Sequence, residues 1–320
     1  MQTTGFLALI GAALVNPGRT AAQDPSTPPF NPHVENPAYP AVAARHPRVL
    51  FDTAHFNNTH TPTGTYRGFA ELIRNDGYIV TANTGKIDSG ALTGYDIFVL
   101  ATPQPFQDSL VNWGDSSITA TNWTNPALTD EECNAIVAWV QGGGALLLVT
   151  GHTPRAFWSA QLGGYFGVDV HNSYAADSVN SEQPNETVPR GAWIVYSREN
   201  GLLPDHPLTS GRWSTERVRR VRVNGSASLS GPPGSYAFLR LGSSAYEWIY
   251  YDFSFRRGAR FRVAGAAGRS QGLTLRHGKG RVVVLAPSGL FTERLIGRPD
   301  TDHRQLALNV LHWLSGLTDP

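Results

Sequence analysis

Polar side chains that could carry acid–base or metal chemistry crowd one short stretch, residues 52–61, with the sequence Asp-Thr-Ala-His-Phe-Asn-Asn-Thr-His-Thr. The stretch directly follows an apolar run that predicts a buried strand. His152 follows a second apolar run at Ala145–Thr150, and Ser288 follows a third at Arg281–Ala286. Ligands bind open α/β sheets at the carboxyl ends of the strands, near the point where the strand order reverses. We therefore expect these residues to share one polar site.

A divalent metal site is the first hypothesis for this chemistry. Zinc accepts imidazole and carboxylate ligands in a four-membered shell that can keep one position for water, and the metal lowers the pKa of that water. The spacing of the two histidines in the loop differs from the helical spacing of the metalloprotease motif. The candidate ligands are Asp52, His55, His60 and His152.

Metal-free hydrolysis is the second hypothesis. Histidine titrates near neutrality, so His55 or His152 could act as general base while Asp52 orients the ring. An asparagine of the first loop would donate hydrogen bonds to a developing oxyanion, and a hydroxyl group would be the nucleophile. The candidates for these two roles are Asn57, Asn58, Thr150 and Ser288.

Two interpretations without catalysis stay open beside these hypotheses. In one, the chain binds a small polar molecule or a saccharide, since aromatic rings beside polar groups fit sugar faces, and an arginine at the start of a helix can bind an anion. In the other, the first loop has only a structural role and is held in place by hydrogen bonds between its side chains and the backbone. The candidate ligand-binding residues are Asn57, Asn58, Thr61, Arg155, Trp113, Trp123, Trp158 and Trp213.

Strand and helix patterns alternate along most of the chain. Thr129 and Glu132 form a capping box before one predicted helix, which ends at the glycines of residues 142–144. Such alternation predicts an α/β fold with a doubly wound, mostly parallel open sheet. The predicted strands are Arg48–Asp52, Tyr78–Ala82, Tyr95–Ala101, Ala145–Thr150 and Arg281–Ala286, and the other predicted helices are Tyr66–Asp76, Arg155–Phe166 and Arg304–Leu314.

Residues 171–270 break the alternation, because Gly, Ser, Pro, Tyr and Arg surround short alternating runs such as Tyr236–Leu241 and Trp248–Phe253. We expect an inserted β-rich section there, within one α/β domain that spans residues 48–316. Residues 23–47 are rich in proline, which predicts an extended, poorly packed leader.

The amino terminus predicts export. Phe6–Val15 is apolar but too short to span a bilayer, and Thr20-Ala21-Ala22 offers the small residues that signal peptidase cleaves after. No basic residue precedes the apolar run, which is unusual for such a signal. We expect a signal peptide over residues 1–22, a secreted or periplasmic protein, and no membrane span.

The net charge and the cysteine content argue against several kinds of partner and site. The formal net charge of +1 gives no reason to expect nucleic acid as a partner. The single cysteine, Cys133, excludes an intramolecular disulfide and a four-thiolate metal site. The sequence yields no prediction of oligomeric state or of a particular substrate.

The order of elements, with the Thr-Asp-Glu-Glu helix start and the late Gly-Lys-Gly-Arg-Val-Val-Val strand, resembles the class I glutamine amidotransferase-like superfamily, and most of all its uncharacterised exported members. The resemblance implies a flavodoxin-like sheet and no particular reaction, because fold does not confer function. Its most specific pieces are residues 52–61, Asp76-Gly-Tyr78, Gly151-His152, Asp205-His-Pro207, Gly211-Arg212 and Asn309-Val-Leu-His-Trp-Leu314.

One departure from that superfamily concerns the nucleophile. Glutamine amidotransferases place a nucleophilic cysteine at the sharp turn after the central strand, whereas Val149-Thr150-Gly151-His152 occupies that turn here. Cys133 falls in the preceding helix. We therefore expect no glutamine hydrolysis, and we expect either a hydrolase-like enzyme or a non-catalytic binding module.

Overall fold

The computed structural model describes residues 30–57, 59–106, 125–182, 193–254 and 258–319. Apolar runs without alternation form its central strands, as expected for strands buried on both faces. The strands are β1 (Arg48–Asp52), β2 (Ile79–Asn83), β3 (Ile97–Ala101), β4 (Ala145–Val149), β5 (Asp169–Val170), β6 (Ser173–Asp177), β7 (Trp193–Ser197), β8 (Arg220–Asn224), β9 (Leu229–Ser230), β10 (Tyr236–Arg240), β11 (Ala245–Ser254), β12 (Gly258–Gly265), β13 (Ser270–His277) and β14 (Gly280–Leu285).

Helices of up to twelve residues connect or follow these strands. They are α1 (Arg67–Asn75), α2 (Ser89–Leu92), α3 (Asp130–Gln141), α4 (Arg155–Tyr165), α5 (Pro207–Ser210), α6 (Glu293–Ile296) and α7 (His303–Leu314). None of the helices in the described part of the chain has the length and apolar character that a bilayer crossing requires.

A nine-stranded sheet joins most of these elements, in the order β2-β1-β3-β4-β14-β13-β9-β5 with β10 beside β13. The strands from β2 to β14 in this order pair in parallel, and the remaining pairs are antiparallel. The predicted mostly parallel, doubly wound sheet is therefore confirmed.

Helices cover both faces of the parallel strands because alternate side chains of each buried strand point to opposite faces. Val49 and Phe51 of β1 pack on one face with α1 and α7, and Leu50 packs on the other. Cys133 and Ile136 of α3 share that second face with residues of α4. The site described below lies where both helix layers meet the ends of the strands.

The predicted β-rich section is present, but it is not a separate sheet throughout. β6, β11 and β12 form a three-stranded antiparallel sheet, and β7 pairs with β8. In contrast, β5, β9 and β10 extend the central sheet. The insertion therefore continues the core of the α/β domain.

The described part of the leader is irregular, as expected, yet it packs well. Phe30, Val34 and Tyr39 lie against the core. The Tyr39 backbone N–H donates to the Asp76 carbonyl at 3.0 Å. Gly77 has φ of +95°, and a Cβ there would lie 1.9 Å from the Tyr39 carbonyl oxygen, so only glycine fits this contact. The apolar leader residues explain why a proline-rich segment docks here.

Candidate functional site

The strand-end site lies at the carboxyl ends of β1, β3 and β4. β1 has β2 on one side and β3 on the other, so the strand order reverses there and leaves a crevice. The loop after β1 (residues 53–57 and 59–66, called the β1 loop) crosses the end of β3. The His55 carbonyl accepts from the Gln104 backbone N–H at 2.8 Å, and the Asn57 amide donates to the Ala101 carbonyl at 3.1 Å.

Four side chains form a closed group that we call the carboxylate–histidine cluster: Asp52, His55, Asn83 and Glu132. His55 Nδ1 lies 3.0 Å from Asp52 Oδ2, and His55 Nε2 lies 3.0 Å from Glu132 Oε1. The Asn83 amide donates to Asp52 Oδ1 at 3.1 Å. Both ring nitrogens of His55 are thus bonded to carboxylates.

The two carboxylates set the charge of His55. Burial alone lowers its pKa, but the hydrogen bond to Asp52 and the negative charges of Asp52 and Glu132 outweigh burial, so the pKa of His55 is raised. Burial raises the pKa of Glu132, but backbone N–H bonds from Thr129 and Ile87 and the contact with His55 lower it overall. His55 thus bridges two carboxylates that favour its protonated form. The role of His55 as general base stays a prediction, and this geometry does not favour it, because both ring nitrogens are bonded to carboxylates.

Glu132 also caps α3. Its Oε2 accepts from the Thr129 backbone N–H at 3.0 Å, while its own backbone N–H donates to Thr129 Oγ1 at 3.3 Å, which is the predicted capping box. Sequence reasoning assigned Glu132 to the cap alone. The sequence separation between His55 and Glu132 does not indicate that Glu132 Oε1 reaches the His55 ring at the end of β1.

The other two candidate histidines are neutral. The Thr102 hydroxyl and His60 Nδ1 form a 3.0 Å hydrogen bond, and burial together with the charge of Arg155 lowers the pKa of His60 to about 3. His152 Nδ1 donates to the Thr153 carbonyl at 2.5 Å. Burial and the charge of Arg155 lower the pKa of His152 to about 4.

Three buried side chains at this edge keep hydrogen-bonding capacity that no described residue uses. We call Asn57, Gln104 and Thr153 the unsatisfied cluster. Gln104 is 1% exposed, and neither its Nε2 nor its Oε1 has a partner in the described structure. Asn57 Oδ1 and Thr153 Oγ1 likewise lack partners there. Native folds leave few such groups, and these three lie on the loops that follow β1, β3 and β4.

The turn after β4 is tightly packed around Gly151 and carries no cysteine. Gly151 has φ of +77°, and a Cβ there would lie 3.2 Å from Thr102 Cγ2 and 3.3 Å from Arg155 Cβ. Thr150 is fully buried, and its hydroxyl is directed at the Gly151 carbonyl. In Ser288, the carbonyl accepts from the Tyr66 hydroxyl at 2.7 Å, and no described hydrogen bond joins the Ser288 hydroxyl to a histidine.

The four predicted metal ligands do not form a ligand set. Asp52 and His55 are bonded to each other, and His60 is bonded to Thr102. Among the described residues, no group of three or more His, Cys, Asp or Glu side chains is arranged to hold a metal ion. The geometry therefore gives no support to the predicted zinc or other divalent metal centre at Asp52, His55, His60 and His152.

The remaining predicted ligand contacts are dispersed. Thr61 bends the β1 loop, since its N–H donates to the Thr59 carbonyl at 2.9 Å. Arg155 opens α4, as predicted. Trp158 is fully buried, whereas Trp213 is 68% exposed and lies outside the strand-end site. The predicted residues outside the described part of the chain are Asn58, Trp113 and Trp123.

Residues 59–311 match the family model described as a domain of unknown function, DUF4350. The chain belongs to this family. Among solved structures, this DUF4350 protein is similar to the mmIFT52 N-terminal domain, with a TM-score of 0.57, 14% identity, and coverage of 84% of this chain and 97% of that one. That likeness supports the fold and nothing further.

Two other solved structures match this DUF4350 protein more loosely. A ThuA-like protein from Bacteroides uniformis has a TM-score of 0.43 and 13% identity, with 86% of this chain and 95% of that one covered. A protein described as a GMP synthase component from Thermoplasma acidophilum has a TM-score of 0.39 and 12% identity, with 86% and 94% covered. Likenesses this low carry no argument. No curated protein matches the sequence.

Proposed function

We propose that this protein is a binding module for a small polar molecule, held at the carboxyl ends of β1, β3 and β4. The observation that carries the proposal is the buried side-chain amide of Gln104, whose Nε2 and Oε1 have no partner in the described structure. A buried polar group without a partner costs about 1–3 kcal/mol of stability. A ligand that bonds both amide atoms removes that cost.

The unsatisfied cluster defines the chemistry of the ligand. Gln104 presents both an N–H donor and a carbonyl acceptor, Asn57 presents an acceptor, and Thr153 presents a hydroxyl. His152 adds an acceptor, because its proton sits on Nδ1. A ligand with several hydroxyl or amide groups bonds all of these, and an uncharged polar metabolite or a saccharide has that character.

Ligand screening with a matched pair of glutamine variants tests the proposal. Thermal shift assays against polar metabolites and saccharides, followed by calorimetry, should find a ligand that stabilises the wild type. Gln104→Met should lose that response, because methionine fills the space without hydrogen bonds. Gln141→Met is the control, since Gln141 is the exposed last residue of α3. Equal ligand responses in both variants would contradict the proposal.

Hydrolysis is a second candidate function, which the His152 geometry favours. Since His152 Nδ1 carries the proton, Nε2 is an unprotonated nitrogen that could accept a proton from water or a substrate hydroxyl. His152→Ala should then reduce turnover of an ester or glycoside panel by about 10²–10⁴-fold. Activity should also fall as the pH drops toward about 4, where His152 becomes protonated. Unchanged turnover in His152→Ala would exclude this role.

We also propose that the protein is an exported member of the class I glutamine amidotransferase-like superfamily. The apolar run before Thr20-Ala21-Ala22 and the strand order support this assignment. Mass spectrometry of the protein from the extracytoplasmic fraction should give a mature chain that begins near residue 23. Leu9→Asp should leave the uncut chain inside the cell. A mature chain that begins at Met1 would contradict the signal peptide.

A further inference from the structure

A cavity of about 560 Å³ lies at the opposite, amino edge of the sheet from the strand-end site. Asp76 lines it, and because Asp76 follows α1 and precedes β2, the cavity opens where the parallel strands begin. The other walls come from α7, from the turn at residues 212–216 and from residues 33–36 of the docked leader. We call it the leader cavity. Its size suits a ligand of one or two sugar rings.

Three motifs that are distant in the sequence meet at the leader cavity. Asp76 belongs to Asp76-Gly-Tyr78, Arg212 follows Gly211, and His312 lies in the last helix. His312 Nε2 lies 2.7 Å from Asp76 Oδ2, and the Ala38 backbone N–H donates to Asp76 Oδ1 at 2.7 Å. None of these residues takes part in the strand-end site.

The charged groups around the leader cavity that are buried or half-buried already have hydrogen-bond partners within the fold. Asp76 is paired with His312, and the Arg212 guanidinium holds Glu216 through Nε and Nη2, with Nε 2.9 Å from Glu216 Oε1. Arg304 directs its guanidinium at the backbone carbonyls of residues 31 and 33. A charged ligand group would therefore have to compete with bonds that already exist. An uncharged ligand can hydrogen-bond at the edges of these pairs without breaking them.

Two groups at the leader cavity are left open in the described structure. His312 is 1% exposed, and its Nδ1 has no hydrogen-bond partner there. Trp213 is 68% exposed, although burying an indole ring is strongly favourable. A ligand with one apolar face and several hydroxyl groups would cover Trp213 and bond to His312 at once.

We propose that the leader cavity is a second ligand site, which binds an uncharged saccharide with a sugar face against Trp213. Sugar rings combine a C–H face that packs on an indole with hydroxyl groups that bond to planar polar side chains. The Arg212–Glu216 pair and His312 supply those polar partners. This site is independent of the molecule bound at the strand ends.

Saturation-transfer NMR and tryptophan fluorescence titrations with maltose, cellobiose and chitobiose test this site, with glucuronate and glucosamine as charged comparators. At least one of the neutral disaccharides should bind the wild type, and Trp213→Ala should weaken that binding by about tenfold. Trp213→Phe should keep most of it. Because Trp213 is exposed, these variants should fold, which unchanged melting temperatures will verify. Phe157→Ala, which removes another exposed aromatic side chain on α4, should bind like the wild type.

Three results would overturn the proposal: no neutral disaccharide binds, the charged comparators bind more tightly, or Trp213→Ala binds as well as the wild type. Gln104→Met separates this proposal from the strand-end one, because it should leave disaccharide binding unchanged. Binding that is lost in Gln104→Met but kept in Trp213→Ala would assign the saccharide to the strand ends and overturn the leader cavity.

Discussion

The carboxylate–histidine cluster and the unsatisfied cluster lie at the same edge of the sheet, and both are buried and polar. In the first, His55 bonds to Asp52 and Glu132, so each charge has a partner inside the fold. In the second, the side-chain amide of Gln104 and the side-chain oxygen Oδ1 of Asn57 have no partner among the described residues. The comparison teaches that buried polarity alone does not indicate a binding site, whereas unused hydrogen-bonding capacity does.

Removing His55 should have the largest effect, because it leaves two buried carboxylates facing each other. We expect His55→Ala to lower the free energy of unfolding by about 3–5 kcal/mol, the usual effect of removing one partner from a buried ion pair. Urea denaturation followed by circular dichroism measures this change. His33→Ala, which removes an exposed histidine, should be close to neutral. A similarly small loss for His55→Ala would mean that the cluster is not a structural element.

His55 and His152 should make the stability of the protein depend on pH in opposite directions. The pKa of His55 is raised, so its stabilising contribution is complete below about 6.5 and is lost as the pH rises through its folded pKa. The pKa of His152 is lowered to about 4, so the protein loses stability as the pH falls from about 6.5 toward 4.

Denaturation of two variants between pH 4 and 9 separates these effects. The stability difference between wild type and His55→Gln should shrink above about pH 6.5. His152→Gln should lose less stability than the wild type on the acid side, by about 1.4 kcal/mol per pH unit. Parallel curves for all three proteins would contradict the assigned charge states.

Replacing Gln104 by methionine should stabilise the free protein, in contrast to any change in the carboxylate–histidine cluster. Removing an unbonded buried amide recovers about 1–3 kcal/mol. Each kcal/mol raises the melting temperature by about 2–4 °C in a domain of this size. Differential scanning calorimetry without ligand measures the change. An unchanged or lower melting temperature would mean that the amide is bonded in the free protein.

The smallest effect should come from Thr129→Ala, which removes half of the capping box. Loss of an N-cap hydroxyl costs about 1 kcal/mol. Glu132 keeps its contact with His55 through Oε1, so the pH dependence assigned to His55 should persist in this variant. Thermal denaturation at two pH values checks both statements. If the stability of Thr129→Ala no longer decreased as the pH rises through the folded pKa of His55, the cap would be shown to position Glu132 for His55.

Most of the central sheet could be predicted from the sequence, because its strands are apolar runs between clear stops. The prediction of β1 at Arg48–Asp52 is confirmed residue for residue, and the capping box at Thr129 begins α3 as expected. β2 begins one residue later than predicted, at Ile79. The addition of β9 and β10 to the central sheet could not be predicted, because pairing between distant strands leaves no local pattern.

The site was harder to predict than the fold. The polar stretch from Asp52 to His60 indicates the correct edge of the sheet, but residue type does not say which groups bond to each other. Glu132 and Asn83 were missed because they lie on other elements, in α3 and β2. Gln104 was missed because a single amide between two prolines carries no periodic signal.

Cys133 lies one residue after Glu132, fully buried between α3 and the sheet, and it is the only thiol in the chain. Burial raises its pKa to about 12, so the thiol is unreactive while α3 is docked. The rate at which a thiol reagent labels the unmodified protein therefore reports how often α3 lifts from the sheet. The labelling rate of Cys133 can therefore be used to compare local unfolding of α3 in every variant and ligand complex discussed above, without an engineered probe.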